Sequence, residues 1–292
     1  MAGKRLFLIV PKIAHPWYDE VRLGAEAQAR AIGGALGAEI AVDLMPPARA
    51  DVAEQNAMLD EAARRAPDGV ALDPLDAVSR MPAVARLRER GVPVVLFDSP
   101  SPEAGMTGIG NDYRMQGTIA AERLVSLLGG VGKVAVMRGF PTAPNHRERL
   151  DAQLEVLARH PGIAVVDGGT DGDDIATARR EASAVLAAHP DLAGYLACDA
   201  SGPIGIADAI RDAGKVGAVK VVGMDGIRPI LEAIRDGVLE SSSSTKPRMQ
   251  GSMAILMLWQ ATLGLPLPRA IDTGIDLITR ENLDRFLAAD AD

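Results

Sequence analysis

The sequence predicts an α/β protein made of two similar doubly wound lobes, each built on a parallel sheet, and three observations carry that prediction. Short apolar runs bounded by Gly and Pro, such as VPVVLFDSP from Val92 to Pro100, read as strands buried on both faces. Segments with helical apolar spacing separate those runs, the pattern of a parallel sheet with crossover helices. After Asn111 and Asp112 the same alternation starts again, which implies a second unit of the same architecture.

The first unit opens with a strand over Arg5 to Val10. A helix over Trp17 to Ile32 follows, with Val21, Leu23, Ala25 and Ala29 on its apolar face and Gly33 and Gly34 as its stop. Next come a strand from Glu39 to Leu44, a helix from Asp51 to Arg65, a strand from Gly69 to Leu72, a helix from Asp76 to Arg90 and a strand from Val92 to Phe97. That last strand delivers Asp98 and Ser99 at its carboxyl end, where open α/β sheets collect ligands, so Asp98 is a candidate binding residue.

In the second unit the spacing predicts helices over Tyr113 to Leu128, Asn145 to Arg159, Asp174 to Ala188, Ile204 to Ala213 and Arg228 to Asp236. Strands over Lys133 to Met137, Ile163 to Asp167, Gly194 to Ala197 and Val219 to Met224 lie between them. The LESSSST stretch, Leu239 to Thr245, reads as a strand running into a hinge and not as a serine linker. A helix from Gln250 to Leu263, a strand from Thr273 to Leu277 and a helix from Arg280 to Leu287 close the chain.

Composition excludes several functions. The chain has 292 residues and a net charge of −8, which provides no basic footprint for nucleic acid or an anionic membrane. The lone Cys198 excludes an intrachain disulfide, and no Cys/His spacing suggests zinc. GGVGKV, Gly129 to Val134, precedes a strand where a phosphate loop would follow one, and Asp167 to Asp174 lacks the calcium-loop pattern. Neither HEXXH nor GXSXG occurs, so no enzyme, cofactor or metal is expected, and Cys198 reads as a small buried hydrophobe.

Seven pieces, in order, resemble the type I periplasmic sugar-binding proteins of bacterial ABC importers, the ribose-binding branch in particular. They are HPWYDEVRLGAEAQARAIG, VPVVLFDSP, GIGNDYRMQG, HRER, HPDLAGYLACDASGPIGIADAI, VKVVGMDG and TKPRMQG. The resemblance implies the type I fold with a three-crossover hinge, an N-terminal lobe of residues 1–111 plus 246–274, and a C-terminal lobe of residues 112–245 plus 275–292. It implies a monomer that captures a small sugar or polyol between its lobes and delivers it to a membrane permease. Its place would be the periplasm, or the cell exterior on a lipid anchor, with the export signal outside this sequence. The alternative is a LacI-like sugar-sensing core without its DNA-binding domain.

Residue by residue, the family's Asn-Pro-aromatic-aromatic loop falls on His15, Pro16, Trp17 and Tyr18. Its strand-end Asp falls on Asp98, followed by Ser99 where ribose binders carry Arg, and its hinge pair falls on Asn111 and Asp112. The ligand arginine corresponds to Arg147, an Asn to Asp199, the next strand-end acid to Asp225, and the hinge Gln to Thr245. The aromatic expected near Gly172 is absent. These residue types suit a polyol: carboxylates accept from hydroxyls, Arg donates as a fork, and an aromatic face covers C–H groups. Asp98, Asp199 and Asp225 against Arg147 leave surplus negative charge, to be offset by a protonated acid, a His15 cation or a cationic ligand. Neutral polyols are therefore expected to bind better than sugar acids, with an amino sugar as the minority ligand.

Overall fold

The computed structural model describes residues 4–76, 81–99 and 105–289. In chain order the elements begin with β1 (Lys4–Val10), α1 (Pro16–Leu36), β2 (Glu39–Leu44), α2 (Val52–Arg64), β3 (Gly69–Leu72), α3 (Pro82–Glu89), β4 (Val94–Phe97) and β5 (Gly108–Gly110). They continue with α4 (Tyr113–Leu128), β6 (Gly132–Arg138), α5 (Pro144–Ala158), β7 (Ile163–Thr170), α6 (Ile175–Ala188), β8 (Leu192–Leu196), α7 (Ser201–Asp212), β9 (Lys220–Met224) and α8 (Arg228–Arg235). The chain ends with β10 (Ser241–Ser244), α9 (Pro247–Thr262), β11 (Ala270–Asp272), β12 (Asp276–Thr279) and α10 (Leu283–Ala289).

The chain divides into two compact units, residues 1–111 with 246–274, and residues 112–245 with 275–292. Unit 1 carries a six-stranded sheet in the order β11-β5-β4-β3-β1-β2, and its paired strands all run parallel. Unit 2 carries the sheet β12-β10-β9-β8-β6-β7, parallel except where β12 meets β10 antiparallel. Each sheet is doubly wound, so the carboxyl ends of its parallel strands lie along one edge.

Local chemistry explains several helix boundaries. Asp51, Asp112 and Asp174 cap α2, α4 and α6 by accepting from the backbone N–H three residues on, which satisfies a donor that the helix leaves orphaned. Helix α1 runs past the predicted stop at Gly33 and Gly34 and ends at Gly37, whose φ of 64° suits the left-handed cap. Gly33 and Gly34 are tolerated inside the helix; at Gly37 the backbone conformation itself favours glycine.

Unit 1 packs Leu8, Val10, Leu59, Val70, Leu72, Val84, Leu87, Val94 and Leu96 into one core on a sheet face. Behind the other face α1 and α9 touch at glycines: a Cβ on Gly24 would stand 1.9 Å from the Arg248 carbonyl oxygen, and one on Gly251 1.9 Å from that of Val21. In unit 2 Leu124, Val134, Val136, Val156, Leu157, Leu196, Val222 and Met224 form the corresponding core.

Several expectations change. Strands β5 and β11 were not anticipated; at three residues each they are too short to show a period. The single strand expected over Thr273 to Leu277 resolves into β11 before it and β12 after its start, one in each unit. The strand expected in the serine stretch is present as β10, with Ser241, Ser242 and Ser243 fully covered. Helix α3 begins at Pro82 within the expected Asp76 to Arg90, and residues 77–80 of that expectation lie outside the described residues. Among the described residues no helix is long and apolar enough to cross a membrane.

Candidate functional site

Charged and hydrogen-bonding side chains collect at the carboxyl ends of the parallel strands in each unit. In unit 1 the chain leaves β1 through Pro11 and Lys12, leaves β3 into Asp73 and leaves β4 into Asp98. Sheet order sets β1 beside β3 and β3 beside β4, so three side chains distant in sequence meet. Lys12 is 1% exposed, and its Nζ lies 3.2 Å from Asp73 Oδ2 and 3.2 Å from Asp98 Oδ2.

Further groups hold this triad. The Tyr18 hydroxyl donates to Asp73 Oδ2 at 2.7 Å, and its ring meets Trp17 and Phe97 edge-on. Gln55, fully buried, donates to the carbonyls of Pro11 and Asp73 and accepts from the Leu75 N–H, joining the loops after β1 and β3. The Asp98 N–H donates to the Ile109 carbonyl and to Gln250 Oε1, and Asp98 sits at φ 54°, an uncommon conformation for a residue other than glycine. Burial pushes the Asp73 carboxyl up to about 7; the Asp98 charge adds to the rise, and Lys12, Tyr18 and Ser99 oppose it.

The predicted residues of unit 1 fall in different places. Asp98 and the fully buried Ser99 join the triad, as do Tyr18 and, beside it, Trp17. His15 caps α1, its Nδ1 accepting from the Trp17 N–H at 3.1 Å. Asn111 lies at the end of β5 and is engaged within its own unit: Nδ2 donates to Thr273 Oγ1 and the Gly274 carbonyl, and Oδ1 accepts from Gln250 Nε2.

In unit 2 the corresponding edge gathers Arg149, Asp171, Asp173, Asp199 and Asp225. Arg149 is 2% exposed; its Nε donates to Gln116 Oε1 at 2.8 Å, an Nη donates to the Cys198 carbonyl at 3.2 Å, and its guanidinium lies 4.8 Å from the centre of the Tyr113 ring. Glycine makes this possible, because a Cβ on Gly117 of α4 would stand 2.3 Å from the Arg149 carbonyl oxygen. Gln116 in turn donates to the Ser243 carbonyl, which also receives the Asp225 N–H. Thr245 donates its hydroxyl to Asp225 Oδ1, and Asp225 sits at φ 68°.

Asp199 Oδ1 accepts from the N–H groups of Ser201 and Gly202 at the start of α7, and Asp171 Oδ1 accepts from the Asp173 N–H. The second oxygens of Asp171 and Asp199 are buried without a hydrogen-bond donor among the described residues. Burial and the neighbouring Asp199 charge push Asp171 well above the carboxylate range, and burial raises Asp199 as well. The same burial, with the charges of Asp199 and Asp171, drives the Cys198 thiol well up, which keeps it protonated and unreactive.

One predicted residue needs correcting. Arg147 is exposed on the outer face of α5. The buried face of that helix carries Asn145, His146, Arg149, Ala152, Gln153 and Val156, so Arg149 is the arginine that reaches the site edge. The signal was present in the sequence: Ala152 and Val156 lie three and seven residues beyond Arg149, the spacing of one helix face. Sequence reasoning also missed Lys12, Asp73, Gln55, Asp171 and Gln250. Asp73 had the strand-end position that singled out Asp98, whereas Lys12 had no local signal. The expected charge balance changes with it, since Lys12 neutralises one acid of unit 1.

The chain matches the model of the periplasmic binding protein domain over residues 6–265. It is 25% identical to the ribose import binding protein RbsB of Bacillus subtilis over 289 residues, 94% of this chain and 87% of that protein. It is 29% identical to a D-ribose/D-allose-binding protein of Pseudomonas aeruginosa over 177 residues, 58% of this chain and 55% of that one. Among solved structures, an ABC transporter solute binding protein from Burkholderia graminis in complex with D-arabinose is similar with a TM-score of 0.89 and 27% identity, covering 97% of this chain and 98% of that one. Another, from Agrobacterium vitis with bound D-fucose, has the same TM-score of 0.89 at 27% identity and covers 99% of each chain.

Proposed function

This chain belongs to the periplasmic binding protein domain family, and on that premise we propose that it is a solute-binding protein that captures a small sugar or polyol and hands it to the permease of an ABC transporter. It acts by binding and release, with no turnover, as a monomer with no nucleic-acid partner. Its place is the periplasm, or the cell exterior on a lipid anchor.

The observation that carries this reading is the pair of buried polar edges, Lys12 with Asp98 in unit 1 and Arg149 with Asp199 and Asp225 in unit 2. A polyol offers hydroxyls that donate and accept, and these edges offer acceptor-only carboxylates beside a forked cationic donor. Trp17 and Tyr18 supply ring surface for C–H faces; His15, Ser99, Asn111 and Thr245 complete the set. Hydrogen bonds to charged groups contribute about 1.5–3 kcal/mol each, so a few suffice for micromolar binding at about 8 kcal/mol. The neighbours bound to D-arabinose and D-fucose support the ligand class.

A thermal-shift screen of pentoses, hexoses, polyols and amino sugars tests it. A specific ligand raises the Tm progressively with its concentration, by linkage. Absence of a shift from every member of the panel at millimolar concentration overturns the reading.

A further inference from the structure

Buried acids of unit 2 crowd together at one point. His146, Asp173 and Asp199 present atoms that lie within 4.8 Å of one another. Asp171 stands beside Asp199, and Asp171 and Asp199 are 2% and 1% exposed. Each has a buried oxygen without a donor among the described residues, whereas its first oxygen is held by backbone N–H groups. The place is shaped as well as charged: a Cβ on Gly139 would stand 2.2 Å from Asp199 Oδ2 and 2.4 Å from His146 Nδ1.

The Arg149 charge acts on Asp199 against its burial without outweighing it. His146 Nδ1 accepts from the Phe140 N–H at 2.9 Å. The Arg149 guanidinium directs two of its nitrogens to Gln116 and the Cys198 carbonyl. Asp225 adds a further acid whose charge is felt at Asp199. Two facing carboxylates can hold one proton between them or accept a donor that carries positive charge; a hydroxyl offers one hydrogen and no charge, an ammonium three hydrogens and a full charge.

We infer that the ligand carries a protonated amine, and that the Asp171–Asp199 pair, with Asp173 beside it, binds that ammonium group. This rests on the sugar-binding reading and narrows it to amino sugars or amino polyols. A divalent metal is the lesser fit, because the imidazole nitrogen nearest Asp199 already accepts a backbone N–H. In the unliganded protein the pair holds a proton, and the arriving ammonium displaces it to solvent.

Calorimetric titration at pH 6.5 with D-glucosamine, D-galactosamine and D-mannosamine, each against its neutral parent hexose, tests the inference. In at least one pair the amine is expected to bind tenfold or more tightly, and its apparent enthalpy is expected to differ between phosphate and Tris buffers because a proton is released. Asp171→Asn should reduce the preference to under threefold; the buffer comparison on the unmodified protein gives the answer even where that variant folds poorly. Neutral parents that bind as tightly as their amines, or an amine preference that survives Asp171→Asn in a folded variant, overturn the inference and leave sugar capture intact. Manganese(II) that raises the Tm without any sugar overturns it in favour of a metal centre. A panel in which neither amines nor parents bind overturns both readings.

Discussion

The Lys12 ammonium lies 3.2 Å from the Asp98 carboxylate, with Lys12 1% and Asp98 5% exposed, and the two residues are joined only through the pairing of β1, β3 and β4. A buried lysine of this kind is held by its partners: Asp73 and Asp98 together exceed its charge by one. The excess sits on Asp73, the acid with the raised pKa.

Lys12→Met keeps the volume and removes the charge, leaving two buried carboxylates opposed. Breaking a buried pair in this way costs about 3–5 kcal/mol, so urea denaturation at pH 8 should show a loss of that order. At pH 5.5 the loss should be smaller, because Asp73 can take up a proton. A loss under about 1 kcal/mol at both pH values would mean that Lys12 contributes no more than its methylene packing.

Stability should fall as pH rises from about 4 to about 7. Asp73 is pushed up to about 7 from an ordinary 3.8, so over that window the native chain holds a proton that the unfolded chain has released. The stabilisation is complete below the unfolded value and is lost through the native one, with a slope on the order of 1 kcal/mol per pH unit. Asp171 and Asp199, also raised, act with the same sign. Melting curves of the wild type and of Asp73→Asn between pH 5 and 8 check this; the variant should lose part of the slope, and parallel curves would contradict it.

Arg147→Ala and Arg149→Ala should separate cleanly. Arg147 is exposed, and its replacement should stay within about 0.5 kcal/mol in stability and twofold in sugar affinity. Arg149→Ala leaves Gln116 Oε1 and the Cys198 carbonyl without their donor, which costs about 1–3 kcal/mol for each buried group, and should weaken binding at least tenfold. Equal effects on affinity would return Arg147 to the site.

Cys198 should resist an aromatic disulfide reagent at pH 8 in the native protein and react at once in guanidinium. Its thiol is 1% exposed, accepts the Gly139 N–H and is held protonated by burial and by the acids beside it. Rapid native labelling would place the thiol in contact with solvent.

The local order of the chain determined a good deal of this protein. Strand and helix alternation, the caps at Asp51, Asp112 and Asp174, and the strand-end acids Asp98 and Asp225 all follow from neighbours within a few residues, because periodicity and capping are short-range effects. Even the choice of Arg149 over Arg147 was written in the spacing of α5.

Charge pairing was decided elsewhere. Lys12 meets Asp73 and Asp98 only because the sheet order places β1, β3 and β4 side by side. Asp171 reaches Asp199 only because β7 and β8 flank β6. Nothing near Lys12 in the chain distinguishes it from a solvated lysine. Burial gives it partners, and burial is a property of strand order across the sheet, so the electrostatics of the site were set by tertiary structure while its scaffold was set by sequence.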